Sequence, residues 1–159
     1  MNEDPMKAII QKQTNPEWLR MSVDASAEAH AFEANLKSNN RWREGAAHEI
    51  SRRLDETAAA FSSLNLETAF AYKSLVGVAV RFLVETGKEM GVAQRFNDKI
   101  MAHVLAAQGE IVKGLAQAGI TSEKREELTE FLGIVSDAQI VFYSTSDLVT
   151  DKRGWQPFG

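Results

Sequence analysis

"ETAFAYKSLVGVAVRFLVE", residues 67–85, decides the fold. Its β-branched residues would suit a buried strand, as would "QIVFY" at 139–143. Two isolated strands in otherwise helical sequence would have no sheet to join, so both stretches read as helix. A helix that is apolar on nearly all sides belongs at the centre of a bundle, covered from several directions. The two cationic residues within it, Lys73 and Arg81, interrupt the apolar run, which is also shorter than the ~20 residues a membrane span needs. No membrane span is expected.

Upstream, Asn15-Pro16 pairs a capping residue with a proline suited to the first helical position. Trp18, Ser22, Ala25, Ala29, Phe32 and Leu36 then recur every three or four residues, which predicts a helix over 16–38. Ala47, Ile50, Leu54, Ala58 and Phe61 predict a second over 41–63, and the short polar break at 38–40 makes the pair an antiparallel hairpin. Downstream, Gly87 and Gly91 predict a break. Phe96 to Leu115 carry the stripe of a helix over 92–118 that ends at Gly119. Thr121 or Ser122 caps the last helix, whose stripe runs from Leu128 through Phe131, Val135 and Phe142 to Val149. Asp4-Pro5 starts a short N-terminal helix ending near Gln13. The fold expected is all-α: an antiparallel bundle of four to five long helices in a single domain over 1–159, with 150–159 as an extended docking tail.

Composition narrows the function classes. The chain has 159 residues, 44% hydrophobic and 25% charged, which is globular rather than disordered. It has no cysteine, so disulfides, thiolate nucleophiles and Cys-ligated metals are excluded. The net charge is −4, and no stretch gathers Lys and Arg on one face among aromatics, so nucleic acid is not an expected partner. "MNEDPMKAIIQKQ" lacks a basic region followed by an apolar one, and a cytoplasmic setting is the expectation.

Chemistry-bearing residues are few. With a hairpin turning at 38–40, His30 and Glu33 fall level with His48 and Glu49, a mixed donor set of the kind that holds zinc or iron. Arg52 stands where a zinc-protease helix would repeat its histidine, and no Glu-x-x-His pair occurs, so no metal or other cofactor is assigned. Glycine-rich phosphate loops are absent. Gly109, Gly114 and Gly119 lie instead with Ala102, Ala106 and Ala116, where small residues allow close helix packing. Arg81 requires a counter-charge within its apolar run. Glu85, one turn on, is the local partner, and an anionic ligand or a partner's carboxylate is the alternative.

"RWREG" at 41–45 and "YSTSD" at 143–147 resemble the Trp-x-Gly turn and Tyr-x-x-x-Asp export signal of the small helical-hairpin substrates of type VII secretion. The turn here carries one residue more than that motif, and the two motifs stand far apart in the chain. The resemblance implies a secreted helical substrate of a type VII-like system.

From the residues themselves, the reading is a non-enzymatic helical bundle acting through protein–protein contacts, as an adaptor or subunit of a larger assembly with a protein partner or as a homo-oligomer. Trp18, Trp42, Trp155 and Phe158 sit at element ends, where aromatic anchors meet partners or staple the bundle's own ends. Two rival classes stand beside it. One is a small-molecule or anion-binding sensor with a pocket near Arg81 lined by Tyr72 and His103, and the other an enzyme with a dispersed site.

Overall fold

A computed structural model describes residues 15–87 and 89–150 of the chain. The expected short N-terminal helix and the tail with Trp155 and Phe158 lie outside the described residues. Five α-helices follow one another: α1 (Pro16–Ser38), α2 (Ala46–Ala59), α3 (Leu66–Thr86), α4 (Met90–Leu115) and α5 (Ser122–Thr150), with a 3₁₀ turn at Phe61–Ser63 after α2. Both β-branched stretches are helical, within α3 and α5.

The boundaries follow from local chemistry. Asn15 Oδ1 accepts from the backbone N–H groups of Glu17 (2.9 Å) and Trp18 (3.3 Å), satisfying two of the donors that a helix start leaves unpaired. Asn65 does the same for α3 through Glu67 N–H at 2.9 Å, and Thr121 Oγ1 caps α5 through Lys124 N–H at 3.0 Å. Gly87, at φ +59°, closes α3 in the left-handed conformation that glycine adopts without steric cost, its N–H reaching the Leu83 carbonyl.

Consecutive helices alternate in direction, as an antiparallel bundle requires. α3 packs against α1, α2 and α5, while α4 packs against α2 and α5. Helices α2, α3, α5 and α4 thus form a four-cornered bundle with α3 and α4 on one diagonal, and α1 lies outside it along α3. Contacts between α1 and α3 keep a constant offset, Trp18 to Phe70, Glu33 to Arg81 and Lys37 to Glu85, so these two helices run parallel.

Two aromatic chains tie the bundle across its diagonals. Trp42, in the α1–α2 connection, meets Phe82 edge to face at 5.6 Å; Phe82 meets Phe96 of α4 at 6.3 Å, and Phe96 meets Phe142 of α5 at 6.1 Å. Nearer the other end, Phe61 contacts both Tyr72 of α3 (5.0 Å) and Phe131 of α5 (5.3 Å). Phe82, Phe96, Phe131, Phe142 and Tyr72 are fully buried. Gly114 realises the close packing expected of a small residue, since a Cβ there would stand 2.9 Å from Leu128 Cδ1 on α5, whereas Gly109 faces open space.

The α1–α2 pair departs from a simple hairpin. α2 begins at Ala46 rather than at 41, because the connection turns through Asn40 (φ +57°) and Gly45 (φ +83°), both left-handed. The two helices straddle α3 instead of packing along each other. Their register is fixed by Arg53, whose guanidinium lies 4.9 Å from the Phe32 ring.

Candidate functional site

That register separates the four residues weighed as a metal set. His30 faces solvent with Nδ1 2.8 Å from the Ser26 carbonyl oxygen. Glu33 turns toward α3, and Glu49 pairs with Arg41 (2.9 Å) and Arg52 (3.0 Å). His48 lines a shallow cavity with Val92 and Arg95 at the far side of α2. The expected level match assumed a turn of three residues, whereas the connection occupies seven, 39–45, so Phe32 rather than Ala25 lies level with Arg53 in the middle of α2. Among the described residues no group of three or more His, Asp or Glu is placed to hold a metal ion.

Arg81 finds its counter-charge on another helix. Its Nε donates to Glu33 Oε1 at 2.6 Å, while Lys37 Nζ bridges Glu33 Oε2 (3.0 Å) and Glu85 Oε1 (3.1 Å) and stands 4.7 Å from the Trp42 ring. Glu85 therefore serves Lys37, not Arg81, because the parallel α1 helix presents Glu33 one turn nearer the guanidinium. Glu33 is 7% exposed, the buried charged residue among those described. Burial pulls its carboxyl upward, and the hydrogen bonds from Arg81 and Lys37 outweigh that and hold it below the usual carboxylate range. The cluster pins α1 to α3.

Tyr72 and His103, grouped with Arg81 from sequence, meet each other without it. Tyr72 Oη lies 2.9 Å from His103 Nδ1, and His103 Nε2 lies 3.0 Å from Asp55 Oδ1; Lys99 Nζ closes the chain on both Asp55 oxygens at 2.9 and 3.0 Å. An ionised Asp55 only accepts, so Nε2 carries the imidazole proton and Nδ1 accepts from the phenol. The relay links α2, α3 and α4. Tyr72 is fully buried, and burial, seconded by Asp55, raises its phenol far above the ordinary range, so it stays protonated. A side chain sealed in this way holds the diagonal together and offers a substrate no approach.

Burial also lowers the His103 imidazolium, against the opposing pull of Asp55. Protonation at Nδ1 would turn an acceptor into a donor facing the Tyr72 hydroxyl, whose own proton then needs another acceptor inside the core. Because the folded-state value lies below that of an ordinary imidazole, the unfolded chain binds more protons just beneath the ordinary value, and stability is lost as pH falls. Glu33, depressed below 4.5, adds a second loss at lower pH still. We expect the urea midpoint to fall between pH 7 and pH 5.5, with the fall flattened in His103→Gln. An unchanged midpoint over that interval would remove the histidine from the acid response.

The two aromatic anchors within the described residues face inward. Trp18 meets Phe70 edge to face at 5.3 Å and Trp42 meets Phe82, so they staple the two ends of α1 onto α3. Trp42 and Gly45 do lie at a helix–helix turn, where the type VII resemblance placed them. Trp155 and Phe158 fall outside the described residues.

Two surfaces lie apart from these clusters. On α4 and its C-cap, Ala102, Leu105, Ala106, Gly109, Val112 and Ala116 are all exposed and repeat at helical spacing; Leu105 is 57% and Val112 65% exposed. The second is a groove between α1 and α2, floored by α3, with a cavity of about 330 Å³ at its Arg20 end. The α4 stripe was legible as small residues, but its outward direction depends on α4 having neighbours on only two sides. Among the described residues no helix is long and apolar enough to cross a membrane. No family model, curated protein or solved structure matches this chain.

Proposed function

We propose that this chain is a non-enzymatic helical-bundle protein that works through protein–protein contacts as an adaptor or subunit of a larger assembly. The observation carrying this reading is the uncovered stripe on α4. Its small residues Ala102, Ala106, Gly109 and Ala116 give a shallow channel with Leu105 and Val112, two turns apart, as a ridge along one side, a surface into which the ridge of another helix packs. Val23 and Ile140 are exposed as well, and what sets Leu105 and Val112 apart is the run of small residues beside them, an apolar surface that a partner helix can cover. The occupant proposed is one α-helix of another subunit. The internal polar clusters favour the same reading, since Arg81, Tyr72 and His103 are each engaged by the bundle itself.

The test is native mass measurement of the complex from its source, alongside a Leu105→Asp/Val112→Asp variant. The expected result is a mass above that of one chain, lost in the variant while its helical signal and urea midpoint hold to within about 0.5 kcal/mol, as exposed substitutions normally do. A wild-type monomer with no co-purifying protein overturns the proposal, and so does a variant that assembles unchanged.

A further inference from the structure

Helix α1 is held differently from the four helices of the bundle. Both aromatic chains run through α2 to α5 and their connections, and neither takes a ring from α1. The buried residues of α1 are Met21, Ala25, Ala29, Glu33 and Leu36, so two of the five bury only a methyl group and a third is a carboxylate. Little apolar area therefore secures the helix. Its side toward α2 is loosely packed, with a cavity of about 330 Å³ between Met21 and Ala25 of α1 and Thr57 and Ala60 at the end of α2. What fastens α1 is a set of point contacts on α3: the Trp18 ring on Phe70, and Glu33 held between Arg81 and Lys37.

We propose that α1 is a strap that opens from α3 as one unit while α2 to α5 stay folded. Few buried apolar contacts and polar fastening mark the segments that open well below the global stability of a fold. The hinge falls at Asn39 and Asn40. Residues beyond it belong to the bundle, since Arg41 Nη2 donates to Glu49 Oε1 at 2.9 Å and Trp42 rests on Phe82. Asn40 already turns the chain at φ +57°, and the backbone bonds from Asn40 N–H to the Lys37 carbonyl and from Arg41 N–H to the Leu36 carbonyl are those that movement there exchanges for water. Opening uncovers Phe70 and Leu75 and parts the Arg81 guanidinium from Glu33. The strap thus controls access to an apolar face of α3 with a cation at its edge.

Amide hydrogen exchange on the full chain, in urea well below the unfolding midpoint, tests this. The mid-helix amides of Ala25, Ala29 and Glu33 should share one protection factor, at least about tenfold below that of the slowest amides of α3 and α5, and should fall together as urea rises. Glu33→Gln should lower the α1 value about tenfold further and leave α5 unchanged, because it removes the charge that Arg81 and Lys37 share. Equal protection in α1 and α5 overturns the proposal by making the described helices one cooperative unit. Protection that declines residue by residue toward Pro16 overturns it too, since that is fraying and not release. An equal fall in α1 and α5 in the variant has the same force. The measurement is independent of assembly through α4.

Discussion

Phe82→Ala is expected to cost about 3–5 kcal/mol, the range for removing a fully buried aromatic ring from a packed core. The ring stands at the crossing of the bundle: it receives Trp42 from the α1–α2 connection on one side and Phe96 of α4 on the other, and through Phe96 reaches Phe142 of α5. A domain of this size has about 5–15 kcal/mol of stability in total, so one truncation removes a large fraction of it. Urea unfolding followed by tryptophan emission and by helical ellipticity measures the loss. A cost below about 1 kcal/mol would mean that the neighbours collapse into the space and that the edge-to-face chain is not a fixed element of the core.

The second large effect belongs to the Tyr72–His103–Asp55 relay. His103→Leu leaves the Tyr72 hydroxyl buried and unpaired, an expected cost of about 1–3 kcal/mol. Tyr72→Phe leaves His103 Nδ1 without its donor and should cost somewhat less, since the ring keeps its packing against Phe61. In the double variant neither orphan remains, so its cost should fall short of the summed single costs by about 1 kcal/mol. Strict additivity would show that the 2.9 Å contact carries no coupling.

Much of the fold was legible because its punctuation is local. Asn15, Asn65 and Thr121 cap the helices they precede, Gly87 and Gly119 sit at left-handed turns, and Ile50, Leu54, Phe96, Ile100, Val104, Leu128, Phe131, Val135 and Phe142 of the expected apolar stripes are buried. The β-branched ambiguity of α3 resolved to helix because three helices cover it, a tertiary fact outweighing propensity. What escaped was relative placement. Seven connecting residues rather than three shifted α2 against α1, which dispersed His30, Glu33, His48 and Glu49. The same cause hid Glu33 as the partner of Arg81, since sequence proximity pointed to Glu85. Asp55 and Lys99 carried no signal at all. Their meeting with His103 depends on α2 and α4 running side by side, a pairing between helices that are not consecutive in the chain.

The position of α3 also bears on how the molecule is made. During synthesis α3 leaves the ribosome after α1 and α2, which can close on two of its sides at once. Its third neighbour is α5, the last of the described helices to emerge. Until residues 122–150 are available, the nascent chain carries a row of valine, leucine and phenylalanine open to solvent, a surface suited to chaperone capture. A ribosome that stalls before α5 would therefore release its most aggregation-prone product, although four of the five described helices had already been translated.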